Sequence, residues 1–384
     1  MIYQELGVAT LINAAGTVTR LSGGIMAPEV AEAMRQASLA CVDMVQMQAA
    51  ACRAIRDATG AEAGIVTSGA SAAVLLGAAA CLAGLDPGRM NRLPEVADGR
   101  CEFIVVRSQR NMYDRAVVVA GGRLVEIGIP DRYSGPGVRD ADAWEIEEAI
   151  GPNTAGIYYL AQAQSKPSLR EVAAVARRHG LPVLVDAAAQ LPPATNLRAY
   201  LDEGADLVGF SGGKAIGGPQ SSGILAGRAD LVSSALMQML DLDVDVATWS
   251  PPREFAALGQ LRGLPHHGIG RSCKVGKEEI AGLIVALQRF AAEAEPARRA
   301  RLLARATAMQ GAGAPGLSIT DGPVPMLSWH AGPDARAIAA QLLAGDPAIA
   351  CNLGRADDGI LLFNPMAVTD AQAPQIARRI AALT

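Results

Sequence analysis

The sequence predicts an α/β protein, with a mostly parallel sheet in a large domain and a smaller α+β domain at the C-terminus. Three observations lead there. Short apolar, β-branched runs recur through the first two-thirds of the chain, each closed by glycine or a polar residue, as buried strands are. Stretches of helical period lie between several of them, the alternation that joins parallel strands by helices covering both faces of a sheet. Of the 384 residues 50% are hydrophobic and 41 are glycine, which suits a folded chain with a substantial core.

The elements follow in order. Residues 1–14 read as an N-terminal arm and 15–260 as the large domain. "EAGIVTSGASAAVLLGAAACLAG" reads as a strand, a glycine turn and an apolar helix, and the "DPG" that closes it makes a buried helix rather than a membrane span. "EFIVVRS", "RLVEIGI", "AGIYYLA", "LPVLVDAA" and "ADLVGFSGG" read as further buried strands. "DADAWEIEEAIG" and "LREVAAVARRHG" are helices between them. Residues 261–384 hold a proline- and glycine-marked connection, "RGLPHHGIGRSCKVG", a charged helical stretch, and a tail in which strand, turn and helix alternate.

Composition excludes several classes. The 34 basic and 38 acidic residues leave a net charge of -4, so no general electrostatic reason exists to bind nucleic acid or an anionic membrane. The N-terminus lacks the basic and apolar regions of a signal peptide, and the expected location is the cytoplasm. Six cysteines stand singly, without the paired spacing of a zinc or redox site, and read as reduced core fillers.

In open parallel sheets, ligands sit beyond the carboxyl ends of the strands. Three strand ends stand out. "IVTSGAS" passes through Thr67, Ser68 and Gly69 and opens a helix at Ala70, offering backbone N–H groups and a hydroxyl to a phosphate. "VLVDAAA" ends in Asp186. "LVGFSGG" ends just before Lys214, 28 residues beyond Asp186 and set between two glycine pairs. Taken singly, Ser68 could cap a helix, Asp186 could form a turn and Lys214 could be a solvated loop cation. Together they are the parts that hold pyridoxal phosphate: a Schiff-base lysine, a carboxylate that keeps the pyridine nitrogen protonated, and a helix terminus for the phosphate. Ser211 can reach that phosphate. "SGGKA" lacks the spacing of a Walker loop, and no GxGxxG follows a strand.

"INAAGTVTRLSGG", "ATGAEAGIVTSGASAAVLL", "RNMYDRA", "VLVDAAAQLPP", "GADLVGFSGGKAIGGPQSSGIL" and "KVGKEEI" resemble, in order, the D-glucosaminate-6-phosphate ammonia-lyase family. That family is a branch of the fold-type I pyridoxal phosphate enzymes related to selenocysteine synthase. The resemblance implies a fold-type I transferase-like architecture, Lys214 as the Schiff-base lysine, Asp186 as the pyridinium partner, and a homodimer or larger even assembly. Where the family pattern has a histidine, this chain has Gln109, which can cover the cofactor ring but stacks less well.

Arg20, Arg110 and Arg271 sit in turn segments and are candidates for a substrate carboxylate or phosphate, with surface ion pairs as the plainer reading. His266 and His267 lack neighbouring ligands at metal spacing, so no metal is expected, and "KVGK" reads as the charged start of a helix. The expected activity is α,β-elimination from a 2-amino-3-hydroxy acid, an amino acid or amino sugar acid such as 2-amino-2-deoxygluconate 6-phosphate, giving a 2-oxo acid and ammonia. Racemisation or transamination would use the same lysine and aspartate. A tRNA-dependent selenocysteine-synthase reaction is a further alternative, opposed by the acidic balance and by family-like blocks that begin near residue 11.

Overall fold

The computed structural model describes residues 2–129, 140–245, 247–311 and 313–384. Its strands are β1 (Ile12–Ala14), β2 (Ala63–Thr67), β3 (Glu102–Val106), β4 (Arg123–Ile127), β5 (Thr154–Leu160), β6 (Val183–Asp186), β7 (Leu207–Ser211), β8 (Gly223–Gly227), β9 (Leu317–Ile319), β10 (Leu327–His330), β11 (Ile349–Cys351) and β12 (Ile360–Phe363). The chain divides into a larger unit, Pro28–Gly212 with Ser221–Arg289, and a smaller one, Met1–Ala27 with Gly213–Gln220 and Phe290–Thr384.

The larger unit is built on one sheet in the order β2-β8-β7-β6-β5-β3-β4. Only β8 runs against its neighbours β2 and β7; the remaining pairs are parallel. The α/β class with a mostly parallel sheet is therefore what the chain adopts. Strands β2, β6 and β8 are buried along their whole length, because helices cover the sheet and leave no solvated face. The helix Ala70–Ala83 carries almost nothing but alanine, leucine, valine and glycine, and it lies so close that a Cβ on Gly77 would approach Leu184 of β6 to 2.7 Å. Polar residues set where helices begin: Ser168 accepts the Glu171 N–H while the Glu171 carboxylate accepts the Ser168 N–H, starting Leu169–Arg178. Among the described residues, no helix is long and apolar enough to cross a membrane.

The smaller unit pairs β9, β10 and β12 as an antiparallel sheet and β1 with β11 in parallel. Its core gathers Ile12, Leu327, Trp329, Phe363 and Ile376. This division corrects the expected boundaries. The first residues are not a separate arm, since Ile12, Asn13 and Ala14 pair with Ile349, Ala350 and Cys351. The larger unit ends inside the helix Lys277–Ala292 rather than at residue 260. A strand partner more than 300 positions away leaves no mark on local periodicity, and a continuous helix offers no composition break.

Candidate functional site

The parallel strands bring Thr67, Asp186, Ser211, Leu160 and Val106 to one edge of the larger unit's sheet, each the last residue of its strand. At one part of this edge Gly223, the first residue of β8, faces Thr67 on one side and Ser211 on the other. Gly69 has φ +143, a conformation that favours glycine, and it caps the helix Ala70–Ala83 without a side-chain hydrogen bond. Ser68 is thus not the helix cap that its type suggests. The first turn of that helix retains N–H groups with no intrahelical acceptor. A Cβ on Gly223 would lie 2.4 Å from the Gly69 carbonyl carbon and 2.7 Å from the Ala70 nitrogen, so β8 must carry glycine there to pass under the turn. Bare backbone and the first amides of a helix thus lie between Ser68 and Ser211, a donor set suited to an anion.

Asp186 is 4% exposed at the end of β6. Its Oδ1 accepts the Ala188 N–H at 3.0 Å and its Oδ2 accepts the Tyr158 hydroxyl at 3.2 Å. The two bonds hold the carboxylate in one orientation.

The chain leaves β7 at Ser211 and reaches Lys214 three residues on, in the segment Gly213–Gln220 of the smaller unit. The Lys214 carbonyl accepts the Gly217 N–H at 3.0 Å, closing a turn in which Gly217 has φ +75. Within the smaller unit this loop packs on the N-terminal turn: a Cβ on Gly23 would approach the Gly213 oxygen to 2.9 Å and Gln220 Oε1 to 2.2 Å. Asn13 fixes that turn by donating to the carbonyls of Gly16 at 2.8 Å and Gly23 at 2.6 Å. Lys214 is half-buried, and the chain has only three other lysines, Lys166, Lys274 and Lys277. Lys277 opens the helix Lys277–Ala292 and pairs with Glu278, as expected for "KVGK".

Other candidates fare differently. Gln109 is 2% exposed, and its amide is used structurally: Oε1 accepts the Leu160 N–H at 3.1 Å and Nε2 reaches the Lys166 carbonyl at 3.5 Å. It straps the end of β3 to the end of β5, which sequence spacing did not show. Arg110 is occupied by Asp114, with Nε to Oδ2 at 2.5 Å, and by Glu126. Arg271 is bound to Asp241 at 2.9 Å. For both, the ion-pair reading replaces the substrate reading. Arg20 is exposed in the short turn Thr19–Leu21 and has no carboxylate partner among the described residues. Asp241, Asp243 and His267 come together, with ligand atoms within 4.8 Å of one another, yet all three are exposed and Asp241 already holds Arg271. The thiol of Cys81 is pushed up to about 12 and that of Cys351 to about 11, both by burial, which leaves them unreactive.

Residues 11–245 match the family described as SelA, L-seryl-tRNA selenium transferase. The chain belongs to this family. The chain is 32% identical over 317 residues to a 5'-C-glycyluridine monooxygenase-decarboxylase of Streptomyces sp, a match spanning 80% of this chain and 69% of that one. It is 28% identical over 396 residues to a D-glucosaminate-6-phosphate ammonia lyase of Salmonella typhimurium, spanning 99% and 96%. A solved structure of D-glucosaminate-6-phosphate ammonia-lyase superposes with a TM-score of 0.80 at 27% identity, covering 100% of this chain and 98% of that one. A serine palmitoyltransferase variant from S. paucimobilis with a bound PLP–myriocin aldimine shares the fold at a TM-score of 0.54 and 15% identity, covering 97% and 87%. The expected fold-type I architecture is thus the observed one. The donor set at the strand ends fits the cofactor of that fold: a bare phosphate seat at Ser68, Gly69 and Ala70, and a buried carboxylate at Asp186.

Proposed function

We propose that this SelA-family chain is a pyridoxal phosphate-dependent ammonia-lyase, converting a 2-amino-3-hydroxy acid to a 2-oxo acid and ammonia. The observation that carries the reading is a buried, doubly hydrogen-bonded Asp186 at the end of a strand in a chain that matches an ammonia lyase over nearly its whole length. Pyridoxal phosphate, when bound, supplies the sink for the electron pair left as the α-proton departs.

The chain's own residues do the rest. Lys214 would hold the cofactor through Nζ, and the same amine would take the α-proton of the substrate. Asp186 would pair with the ring nitrogen. The N–H groups at Gly69 and Ala70, with the hydroxyls of Ser68 and Ser211, bind the phosphate. Arg20 is the remaining arginine for a substrate carboxylate or phosphate. The β-hydroxyl leaves as water; hydrolysis of the released enamine takes water back and frees ammonia, so the reaction balances. Incubating holoenzyme with a panel of 2-amino-3-hydroxy acids, phosphorylated and not, is expected to yield equal amounts of 2-oxo acid and ammonia from at least one, with amino sugar acids foremost.

One observation favours a second reading: the relative at 32% identity is a monooxygenase-decarboxylase. Oxygen uptake and carbon dioxide release without ammonia, on an amino acid-bearing substrate, would install it. Specific tRNA binding at physiological salt would favour the tRNA-dependent reaction, which a net charge of -4 opposes.

The same reading places the enzyme in the cytoplasm as a homodimer or larger even assembly. Its support is exposed apolar surface: Met112 is 82% and Tyr113 54% exposed, and Ile2, Tyr3, Leu6 and Val8 are exposed near the N-terminus. Light scattering at working dilution is expected to report at least a dimer, and a fully active monomer contradicts it.

A further inference from the structure

One residue with no part in the chemistry above reaches Asp186. Tyr158, on β5 and 1% exposed, donates to Asp186 Oδ2 at 3.2 Å. A phenol has one proton, and a carboxylate can only accept, so that proton goes to Asp186. Burial, and then the charge of Asp186, push the Tyr158 phenol up, so it stays a donor.

We infer that Tyr158 is a positioning residue: its hydrogen bond, Oη–H to Asp186 Oδ2, holds the Asp186 carboxylate ionised and in one orientation. The inference rests on Asp186 being the partner of the cofactor's ring nitrogen. A hydrogen bond to the charged form of a carboxylate lowers its affinity for a proton. In a pair that shares one proton, a weaker carboxylate base leaves that proton on the nitrogen. Loss of this hydrogen bond therefore moves the proton toward Asp186 and weakens the electron sink.

The test uses holoenzyme reconstituted with pyridoxal phosphate carrying 15N in its ring. Its 15N chemical shift is compared at one neutral pH in the wild type, Tyr158→Phe and Asp186→Asn. Tyr158→Phe deletes one oxygen and keeps the ring. In that variant the shift is expected to move from the protonated toward the unprotonated value, and kcat to fall about ten-fold with KM unchanged, the worth of one hydrogen bond to a charged group. A wild-type shift in Tyr158→Phe beside an altered shift in Asp186→Asn overturns the inference, whatever happens to thermal stability. A wild-type shift in Asp186→Asn overturns the underlying assignment of Asp186 instead.

Discussion

Lys214→Ala is expected to lower kcat by about a thousand-fold or more, the range for losing a positioned general base, to which loss of the covalent anchor adds. The basis is chemical scarcity as much as position. Of four lysines, Lys277 is ion-paired on a helix, Lys274 follows the short turn Ile269–Cys273 and Lys166 lies in the turn strapped by Gln109, leaving Lys214, three residues beyond the end of β7 at the ligand-facing edge. Folding should be spared, because Lys214 is half-buried and its backbone bond to Gly217 survives the change. Lys214→Arg is expected to be as inactive, since guanidinium stays charged and forms no bond to an aldehyde. Turnover, thermal midpoint and the visible absorbance of the holoenzyme check this together. A variant retaining a tenth of wild-type turnover would refute the role.

Asp186→Asn is expected to cost about a hundred-fold in kcat, as befits removal of one charge-assisted interaction from a site sheltered from water. Asparagine keeps an oxygen for the Ala188 N–H, and the Tyr158 hydroxyl can turn to accept from its NH2, so the local bonds of Asp186 have replacements. What disappears is the negative charge that holds a proton on the ring nitrogen. Cofactor should still bind through Lys214 and the phosphate seat. Parallel measurement of kcat, cofactor content and unfolding temperature separates this from collapse of the site: normal turnover contradicts the assignment, and so does an apoprotein that no longer takes up cofactor.

Much of this was legible in the sequence because strand ends advertise themselves. "VLVDAAA" and "IVTSGAS" each break an apolar run with polar residues where a parallel sheet presents its ligands, and the structure puts Asp186 and Thr67 at those ends. The strand β8 escaped notice because "GILAG" is rich in glycine and alanine, residues its tight passage under the Gly69 turn requires. Tyr158 is not singled out by the sequence, for nothing local in "AGIYYLA" marks a hydroxyl aimed at a residue on the next strand. The strap made by Gln109 is not legible in the sequence, because its partner, the backbone of Leu160, is brought to it only by strand pairing. Arg110 makes the ion pairs of its plainer reading, with Asp114 four residues on and with Glu126 of β4.

The most direct test of the central claim is to reduce the cofactor-saturated enzyme with borohydride, digest it and map the pyridoxyl-modified peptide. With only Lys166, Lys214, Lys274 and Lys277 to choose from, the result is unambiguous. The label is predicted on Lys214 and nowhere else. A label on any of the other three, or none in a protein that has bound its cofactor, would contradict the account.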